Sequence, residues 1–231
     1  MRAEVLFAEV ASLFRDDFNM RYLQMCVPGS ELVYTDLFCE PRFVTEDVDV
    51  VYLGPMRDKH EALVVSQLMP YRERIRELVE GGTVFLAVGN GLEVFGHDID
   101  GEPALGLFDY HATHDFDHFE RSCVLATWGD MRVVGYKTTF SEIRGNEHPW
   151  LTVDKGVGQP DDPAHEGIHY RNFFGTYLMG PALITNPPLT KYLLRLLGQS
   201  DDLAFEDALW RSYNVRVEEY EHEDIGVYVH M

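Results

Sequence analysis

The feature that most constrains the fold is a helical pattern at residues 59–80 that leads directly into a short apolar run and a tight glycine turn. Apolar residues in this segment recur every three or four positions, as on the buried face of a helix. Gly81-Gly82 ends the pattern as a C-terminal cap would, and Pro70 predicts a kink inside it. The sequence therefore predicts one helix, kinked near its middle, immediately before a buried strand.

The apolar runs around this helix lack the strict alternation of strands that face water on one side. Residues 31–38, 48–53 and 83–88 are short and rich in β-branched or apolar side chains, as expected of strands that are covered on both faces. The third run passes into a Gly-Asn-Gly turn at 89–91, after which apolar spacing from Leu92 predicts the start of another helix. This order of elements predicts the α/β class, with an open, mostly parallel sheet and helices on both faces.

The second half of the chain continues in the same manner, without a repeat, a low-complexity tract or a Ser/Pro-rich linker. We therefore expect one domain that spans residues 1–231. The elements predicted there are strands at 131–136 and 172–178, a helix from Pro187-Pro188 to Gly198, a helix at 203–213 and a solvent-facing acidic tail at 218–224.

Charge and composition exclude several classes of partner. The chain has 39 acidic and 19 basic residues, a formal net charge of −20, which repels nucleic acid and anionic lipid. No apolar run approaches the roughly 20 residues of a membrane span, and Glu4 and Glu9 interrupt the N-terminal apolar stretch, so we expect a cytoplasmic protein without membrane insertion. Cys26, Cys39 and Cys123 form no CxxC pair, which favours reduced, mostly buried thiols over disulfides or structural zinc.

The turn after residue 88 is the first place to expect chemistry, because ligands of open parallel sheets bind beyond the carboxyl ends of the strands. Its glycines do not match the dinucleotide fingerprint, since the third glycine, Gly96, comes two residues too late. A better interpretation is a nucleophile elbow, in which a strand turns abruptly into a helix and raises one strained residue beside backbone N–H groups. Gly89 occupies the raised position, where it offers no reactive side chain.

Two motifs carry a resemblance to a known family. Residues 86–96 are LAVGNGLEVFG and resemble the elbow of CobB/CobQ-type glutamine amidotransferases, which is roughly L-x-I-C-G-G-Y-Q-x-L-G. The segment EGIHY at 166–170, then GTYLMGP at 175–181 and Asn186-Pro187, is similar to the E-G-x-x-Y…G-T-Y-L-H-G-P…N-P pattern of the GatD-type glutaminase subunits of lipid II isoglutaminyl synthase.

The resemblance covers nearly the whole chain in order and spacing, because LGLFDY at 105–110 and VGY at 134–136 also match segments of the family. It implies the fold of a class I glutamine amidotransferase, a flavodoxin-like three-layer sandwich in which a sheet lies between two layers of helices.

The departures from the family pattern fall on its chemistry. The family uses a cysteine thiolate to attack the side-chain amide of glutamine and a histidine to carry protons. The resemblance places these two positions at Gly89 and Met179, and neither residue can perform either task. The oxyanion loop falls on Gly54-Pro55, where proline has no N–H, and the family's Arg-bearing loop is replaced by KTTFSE at 137–142. We therefore expect no catalytic residue but a vestigial pocket formed by Gly54, Gly89, Asn90 and Met179.

Three histidines and three carboxylates are concentrated between residues 109 and 118. On a helix, His111, His114 and His118 would share a face and could ligate zinc. The resemblance instead places them on a strand and the loop after it, where such groups are usually hydrated, so we expect neither a metal nor a cofactor. His169 lies ten residues before Met179 and is not expected to replace the missing base.

The functional expectation follows from the resemblance. Active family members supply ammonia to a Mur-ligase-like subunit that amidates a peptidoglycan precursor. A member without the cysteine is expected to keep the docking surface and to act as a partner or regulatory subunit of such a synthetase. Two alternatives stay open at this point: an active amidotransferase or other hydrolase with a rearranged site, and a metal- or small-ligand-binding sensor built from the histidine cluster.

Overall fold

The computed structural model describes residues 1–222 and 227–230, and it is an α/β structure. Short 3-10 segments occur at Leu13–Arg15, Arg42–Val44, Asp58–His60, Met69–Tyr71 and Gly89–Phe95. The helices are α1 (Phe18–Cys26), α2 (Glu61–Leu68), α3 (Arg72–Gly81), α4 (Ala182–Thr185), α5 (Pro187–Leu196) and α6 (Glu206–Glu221). The strands are β1 (Arg2–Leu6), β2 (Glu31–Thr35), β3 (Val50–Leu53), β4 (Val84–Val88), β5 (Asp98–Ile99), β6 (Glu102–Pro103), β7 (His111–His114), β8 (Phe119–Trp128), β9 (Met131–Thr139), β10 (Ser141–Arg144), β11 (Pro149–Lys155), β12 (His165–Tyr170), β13 (Phe173–Thr176), β14 (Leu178–Met179) and β15 (Val227–His230).

The large sheet has the strand order β14-β9-β8-β11-β12-β13-β4-β3-β1-β2, and β15 pairs with β8 beside this path. Strands β2, β1, β3, β4 and β13 form its parallel part. The remaining strands extend the sheet with antiparallel pairs. The predicted α/β class and parallel sheet are confirmed, and the antiparallel extension adds what the sequence patterns did not predict.

Side chains of the parallel strands alternate between two cores, one on each face of the sheet. Each large apolar side chain that becomes fully buried contributes roughly 1.5–3 kcal/mol. The core that joins β3 and β4 to α2 and α3 includes Val51, Phe85, Val64 and Ile75. The opposite core joins the same strands to α1 and α5 and includes Val50, Leu86, Leu23 and Leu193.

The kinked helix predicted at 59–80 is confirmed. Helices α2 and α3 are joined by the 3-10 segment Met69–Tyr71, which contains Pro70. Gly82 ends α3 with a φ of 89°, in the left-handed region where glycine carries no Cβ penalty, and its N–H bonds to the carbonyls of Leu78 and Val79.

The helix predicted from Leu92 is wrong. Only the 3-10 segment Gly89–Phe95 forms there, and it ends at Gly96. A Cβ at Gly96 would lie 2.6 Å from the Tyr110 ring, and the next N–H, of His97, bonds to the Tyr110 carbonyl. Packing against this later segment therefore ends the helix after two turns, and the chain enters a small second sheet of order β10-β7-β5-β6.

The C-terminal helices agree with the predictions in place but differ in length. Helix α5 starts at Pro187, and Gly198 follows it with a φ of 66°. Helix α6 continues beyond the predicted 203–213, because Tyr213, Val217 and Tyr220 pack together against β8 and β9. The acidic tail begins on α6 with Glu218 exposed, whereas Asp224 lies outside the described residues. Among the residues described, no helix is both long enough and apolar enough to cross a membrane.

Candidate functional site

The predicted sharp turn follows β4 directly. All five residues of β4 are buried, and Gly89 then adopts a φ of +59° before the 3-10 segment begins. This conformation costs a residue with a Cβ roughly 1–2 kcal/mol, so glycine relieves strain at the raised position. Gly89 lies beyond the carboxyl end of a central parallel strand, where the sequence predicted the site.

Pro55 fills the space that a side chain at the raised position would need. An ideal Cβ built on Gly89 lies 2.7 Å from Pro55 Cβ, closer than two such atoms approach in proteins. The sequence shows that Pro55 lacks an N–H donor, but it does not predict this contact, because the two loops are distant in sequence. The predicted nucleophile position therefore has no reactive atom and no room for one.

Asn90 holds the loop that contains Pro55 and Met56 against the turn at Gly89 through two hydrogen bonds. Its side-chain Oδ1 accepts a hydrogen bond from the Met56 N–H at 2.8 Å, and its Nδ2 donates to the Met56 carbonyl at 3.0 Å. The Met56 N–H is therefore already occupied by a hydrogen bond within the protein, and the preceding residue, Pro55, has no N–H to donate. Gly54 is buried beneath the turn, where its carbonyl would lie 2.7 Å from a Cβ on Gly91.

The predicted base position is in the wall of the same cavity. Met179 is on β14, paired with Tyr136 of β9, and it lines a cavity of about 600 Å³ together with Gly89 and Asn90. The structure therefore brings three of the four predicted pocket residues together, while Gly54 lies behind the elbow. No cysteine of the described chain lines this cavity.

Glu166 shows that part of the family motif has a structural role. Its buried carboxylate accepts hydrogen bonds from Thr176 Oγ1 at 2.7 Å and from the Tyr177 N–H at 2.8 Å. These contacts fix the connection from β13 to β14 and hence the position of Met179. His169, on β12, stacks on Phe174 with ring centroids 4.7 Å apart, and burial lowers its pKa, so it serves the core rather than the cavity.

The three sequence-predicted histidines do not form one site. His111 and His114 are on β7, and His118 is in the loop after it. The exposed His111 bonds Asp98, and the exposed His118 bonds Asp115, each through Nδ1 at 2.5 Å. Only the side chain of His114 is buried, with 5% of its surface exposed.

His114 instead meets carboxylates from distant segments. Its Nε2 lies 3.5 Å from Glu61 Oε2, 3.8 Å from Glu93 Oε2 and 4.0 Å from Asp58 Oδ1. Glu61 begins α2, Asp58 is in the 3-10 segment before it, and Glu93 is in the segment after Gly89. We call Asp58, Glu61, Glu93 and His114 the His114 cluster.

Burial and mutual interaction strongly shift the pKa values of the groups in this cluster. The interaction with Glu61 raises the pKa of His114 to about 10. Burial raises the pKa of Glu93 to about 8, and it also raises the pKa of Glu61. Strong pKa shifts within one cluster are typical of functional sites, although structural networks also show them.

The acidic residues of this cluster were not predicted from the sequence. A lone glutamate in an apolar run, such as Glu93, usually marks a solvated position. Nothing local distinguishes Glu61 from the other acidic residues of a chain with 39 of them. The concentration of histidines at 111–118 indicated a possible site, but it suggested ligands close in sequence, whereas the carboxylates that surround His114 come from distant segments.

Comparisons with known proteins agree with these motifs. The family model described as a CobB/CobQ-like glutamine amidotransferase domain matches residues 23–187. The GatD subunit of lipid II isoglutaminyl synthase (glutamine-hydrolyzing) from Staphylococcus aureus (strain N315) is 27% identical over 170 residues, which cover 70% of this chain and 68% of that protein. The corresponding subunit from Streptococcus pneumoniae (strain ATCC BAA-255 / R6) is 22% identical over 233 residues, covering 88% and 85%. A solved glutamine amidotransferase superposes with a TM-score of 0.57 at 14% identity, covering 84% of this chain and 98% of that one, which supports the fold alone.

Proposed function

Since the chain belongs to the family of CobB/CobQ-like glutamine amidotransferase domains, we propose that it is a GatD-like subunit that does not hydrolyse glutamine. In this proposal it acts beside a Mur-ligase-like amide synthetase, as a partner or regulatory subunit in the amidation of a cell-wall precursor. The two similar GatD proteins are named as subunits of a glutamine-hydrolysing lipid II isoglutaminyl synthase.

The observation that carries the loss of hydrolysis is the contact between Gly89 and Pro55. Hydrolysis of glutamine by this family's route needs a thiolate that attacks the amide carbon and a histidine that takes the thiol proton as a base and gives it to the departing ammonia as an acid. The first group has no side chain here and no room for one, and the second position is Met179. The Met56 N–H is also bonded to Asn90, so it does not point to a developing oxyanion.

The proposal predicts that the purified chain releases no glutamate or ammonia from L-glutamine above a buffer control. The GatD subunit from Staphylococcus aureus, assayed with its synthase, serves as the positive control. Incubation with a glutamine-mimicking electrophile is expected to leave Cys26, Cys39 and Cys123 unlabelled in intact-mass and peptide analysis. Turnover, or a labelled cysteine that is protected by glutamine, would establish the alternative of an active, rearranged site.

Exposed aromatic side chains at the cavity mouth support the existence of a partner. Phe14 is 72% exposed, Phe116 is 62% exposed, and both line the cavity beside Gly89. Phe14 also has a φ of 59°, a conformation that is rare for a bulky residue and persists only where the surroundings hold it. Apolar groups clustered at a concave surface are typical of protein interfaces. We place the synthetase contact at this mouth.

Tagged full-length chain, isolated from its native cell, is expected to bring down a Mur-ligase-like synthetase. Replacing both Phe14 and Phe116 by serine is expected to lower its recovery at least about tenfold, as for central aromatic residues of interfaces. Phe38→Ser is the control, because Phe38 is 78% exposed but does not line the cavity. Recovery of no synthetase would contradict the partner, and equal losses in all variants would contradict its placement.

A further inference from the structure

The His114 cluster contains three buried polar atoms, a nitrogen and two oxygens at ion-pair distance from it, that form no hydrogen bond within the described chain. Glu61 Oε2, Glu93 Oε2 and His114 Nε2 have no hydrogen-bond partner among the described residues. Their side chains are 3%, 0% and 5% exposed. An unsatisfied buried polar atom costs about 1–3 kcal/mol, and more if it is charged, so three of them at one point indicate a missing common partner.

The spacing of these atoms fits a shared metal ion. One ligand atom from each of Asp58, Glu61 and His114 lies within 4.8 Å of the others. Ligands at about 2.1 Å from an ion stand about 3.4 Å apart at a tetrahedral angle and farther apart at wider angles. The 3.5 and 4.0 Å separations from His114 Nε2 to the two carboxylates are in this range, but they are too long for good hydrogen bonds.

We propose that Asp58, Glu61 and His114 bind one divalent transition-metal ion of the Zn²⁺ or Mn²⁺ class. Glu93 Oε2 faces the same space and adds a third carboxylate, which is fully buried, to its edge. An imidazole with carboxylates suits such ions, and the absence of thiolate among these ligands disfavours Cu⁺. The site is distinct from the sequence-predicted histidine cluster, since it uses only one of the three histidines.

Outer contacts hold each of these groups in the required orientation. Asp100 Oδ2 accepts a hydrogen bond from His114 Nδ1 at 2.8 Å, so Nε2 is the nitrogen that faces the proposed ion, which would bind it in place of its proton. A carboxylate behind a histidine ligand is the usual support in metal sites. Asn90 Nδ2 donates to Glu61 Oε1, so Oε2 of the same carboxylate is the free one.

Glu93 is held in the same way, because its Oε1 accepts hydrogen bonds from Ser141 Oγ at 2.6 Å and from the Tyr177 hydroxyl at 2.9 Å.

The structure also provides a path by which an ion can enter. Asp58, Glu61 and His114 line a cavity of about 800 Å³, which shares Asp58 with the cavity beside Gly89. Ligand identity, spacing, outer support and access thus agree with an ion at this point.

The test uses the full chain after treatment with a chelator and dialysis. Titration calorimetry with Zn²⁺ and with Mn²⁺ is expected to give one ion per chain, and thermal unfolding is expected to shift upward with ion concentration. Glu61→Gln and His114→Gln are expected to weaken binding by more than the roughly 10–100-fold loss expected for the positioning variant Asp100→Asn. His111→Gln and His118→Gln are matched controls and are expected to bind as the wild type does.

A second measurement needs no variant of the cluster, in case those variants do not fold. In the wild-type chain, Zn²⁺ is expected to shift the side-chain ¹⁵N resonances of one histidine and to leave those of His111 and His118 unchanged, as assigned from the control variants. No binding by the stripped wild type, or loss of binding in the His111 or His118 control, would overturn the proposal. These results do not depend on glutaminase activity, so they test the ion separately from the proposed function.

Discussion

Gly89→Ala is expected to destabilise the protein by about 2–5 kcal/mol. Two effects add: a Cβ in the left-handed region costs roughly 1–2 kcal/mol, and overlap in a packed site costs typically 1–3 kcal/mol. The overlap is with Pro55 Cβ, at 2.7 Å from the new atom, and Gly89 is buried, so the structure has little room to relax. Urea unfolding of wild type and variant measures the difference.

Gly129→Ala separates the two effects. Gly129 has a φ of 57°, nearly the value at Gly89, but a Cβ there would meet no atom within 4 Å. This control is therefore expected to show the backbone cost alone, about 1–2 kcal/mol. If both variants lose the same stability, Pro55 does not close the site.

Pro55→Gly completes a double-mutant cycle with Gly89→Ala. Removing the Pro55 Cβ is expected to relieve the overlap, so that the double variant is less destabilised than the sum of the single ones by about 1–3 kcal/mol. The same contact bears on function. Gly89→Cys alone is expected to give no glutaminase activity, since the thiol has neither space nor a base, so we expect that no change at this one position restores hydrolysis.

The parallel part of the fold was predictable because its signals are local. The helical spacing at 59–80, the cap at Gly82 and the buried run at 83–88 each lie within one element, and all three appear in the structure. The end of the next helix was not predictable, because it depends on Tyr110 packing against Gly96. The antiparallel extension lacked a comparable local signal, since long strands such as β8 carry mixed burial.

The candidate site divides along the same line. Gly89, Asn90 and Met179 could be placed through motifs, and the structure collects them around one cavity. The closure by Pro55 and the meeting of Glu61 with His114 are tertiary contacts between segments that no sequence motif connects. The residue types at Gly89 and Met179 show that the family's cysteine and histidine are missing. Only the fold shows that Pro55 occupies the space beside Gly89.

The second large effect is expected at Asp16, whose titration makes the free energy of unfolding depend on pH. Its side chain is fully buried, and its Oδ2 accepts hydrogen bonds from the Tyr52 hydroxyl at 2.6 Å and from Asn19 Nδ2 at 3.0 Å. Burial raises the pKa of Asp16 from 3.8 to about 6, although both hydrogen bonds favour the charged form. The folded protein therefore keeps a proton on Asp16 at pH values where the unfolded chain has lost it.

The sign of the effect follows from this difference in bound protons. Between pH 3.8 and about 6 the folded state binds more protons, so Asp16 makes stability fall as pH rises, by about 3 kcal/mol in total. Asp16→Asn keeps acceptors for Tyr52 and Asn19 but cannot ionise. Its stability relative to wild type is expected to increase by about this amount from pH 4 to pH 7 in urea unfolding, and then to level off. Asp36→Asn, at an exposed position, controls for the loss of one negative charge from a chain of net charge −20.

The contrary result is a stability difference between Asp16→Asn and wild type that stays constant from pH 4 to pH 7. It would show that Asp16 is charged in the folded protein throughout this range.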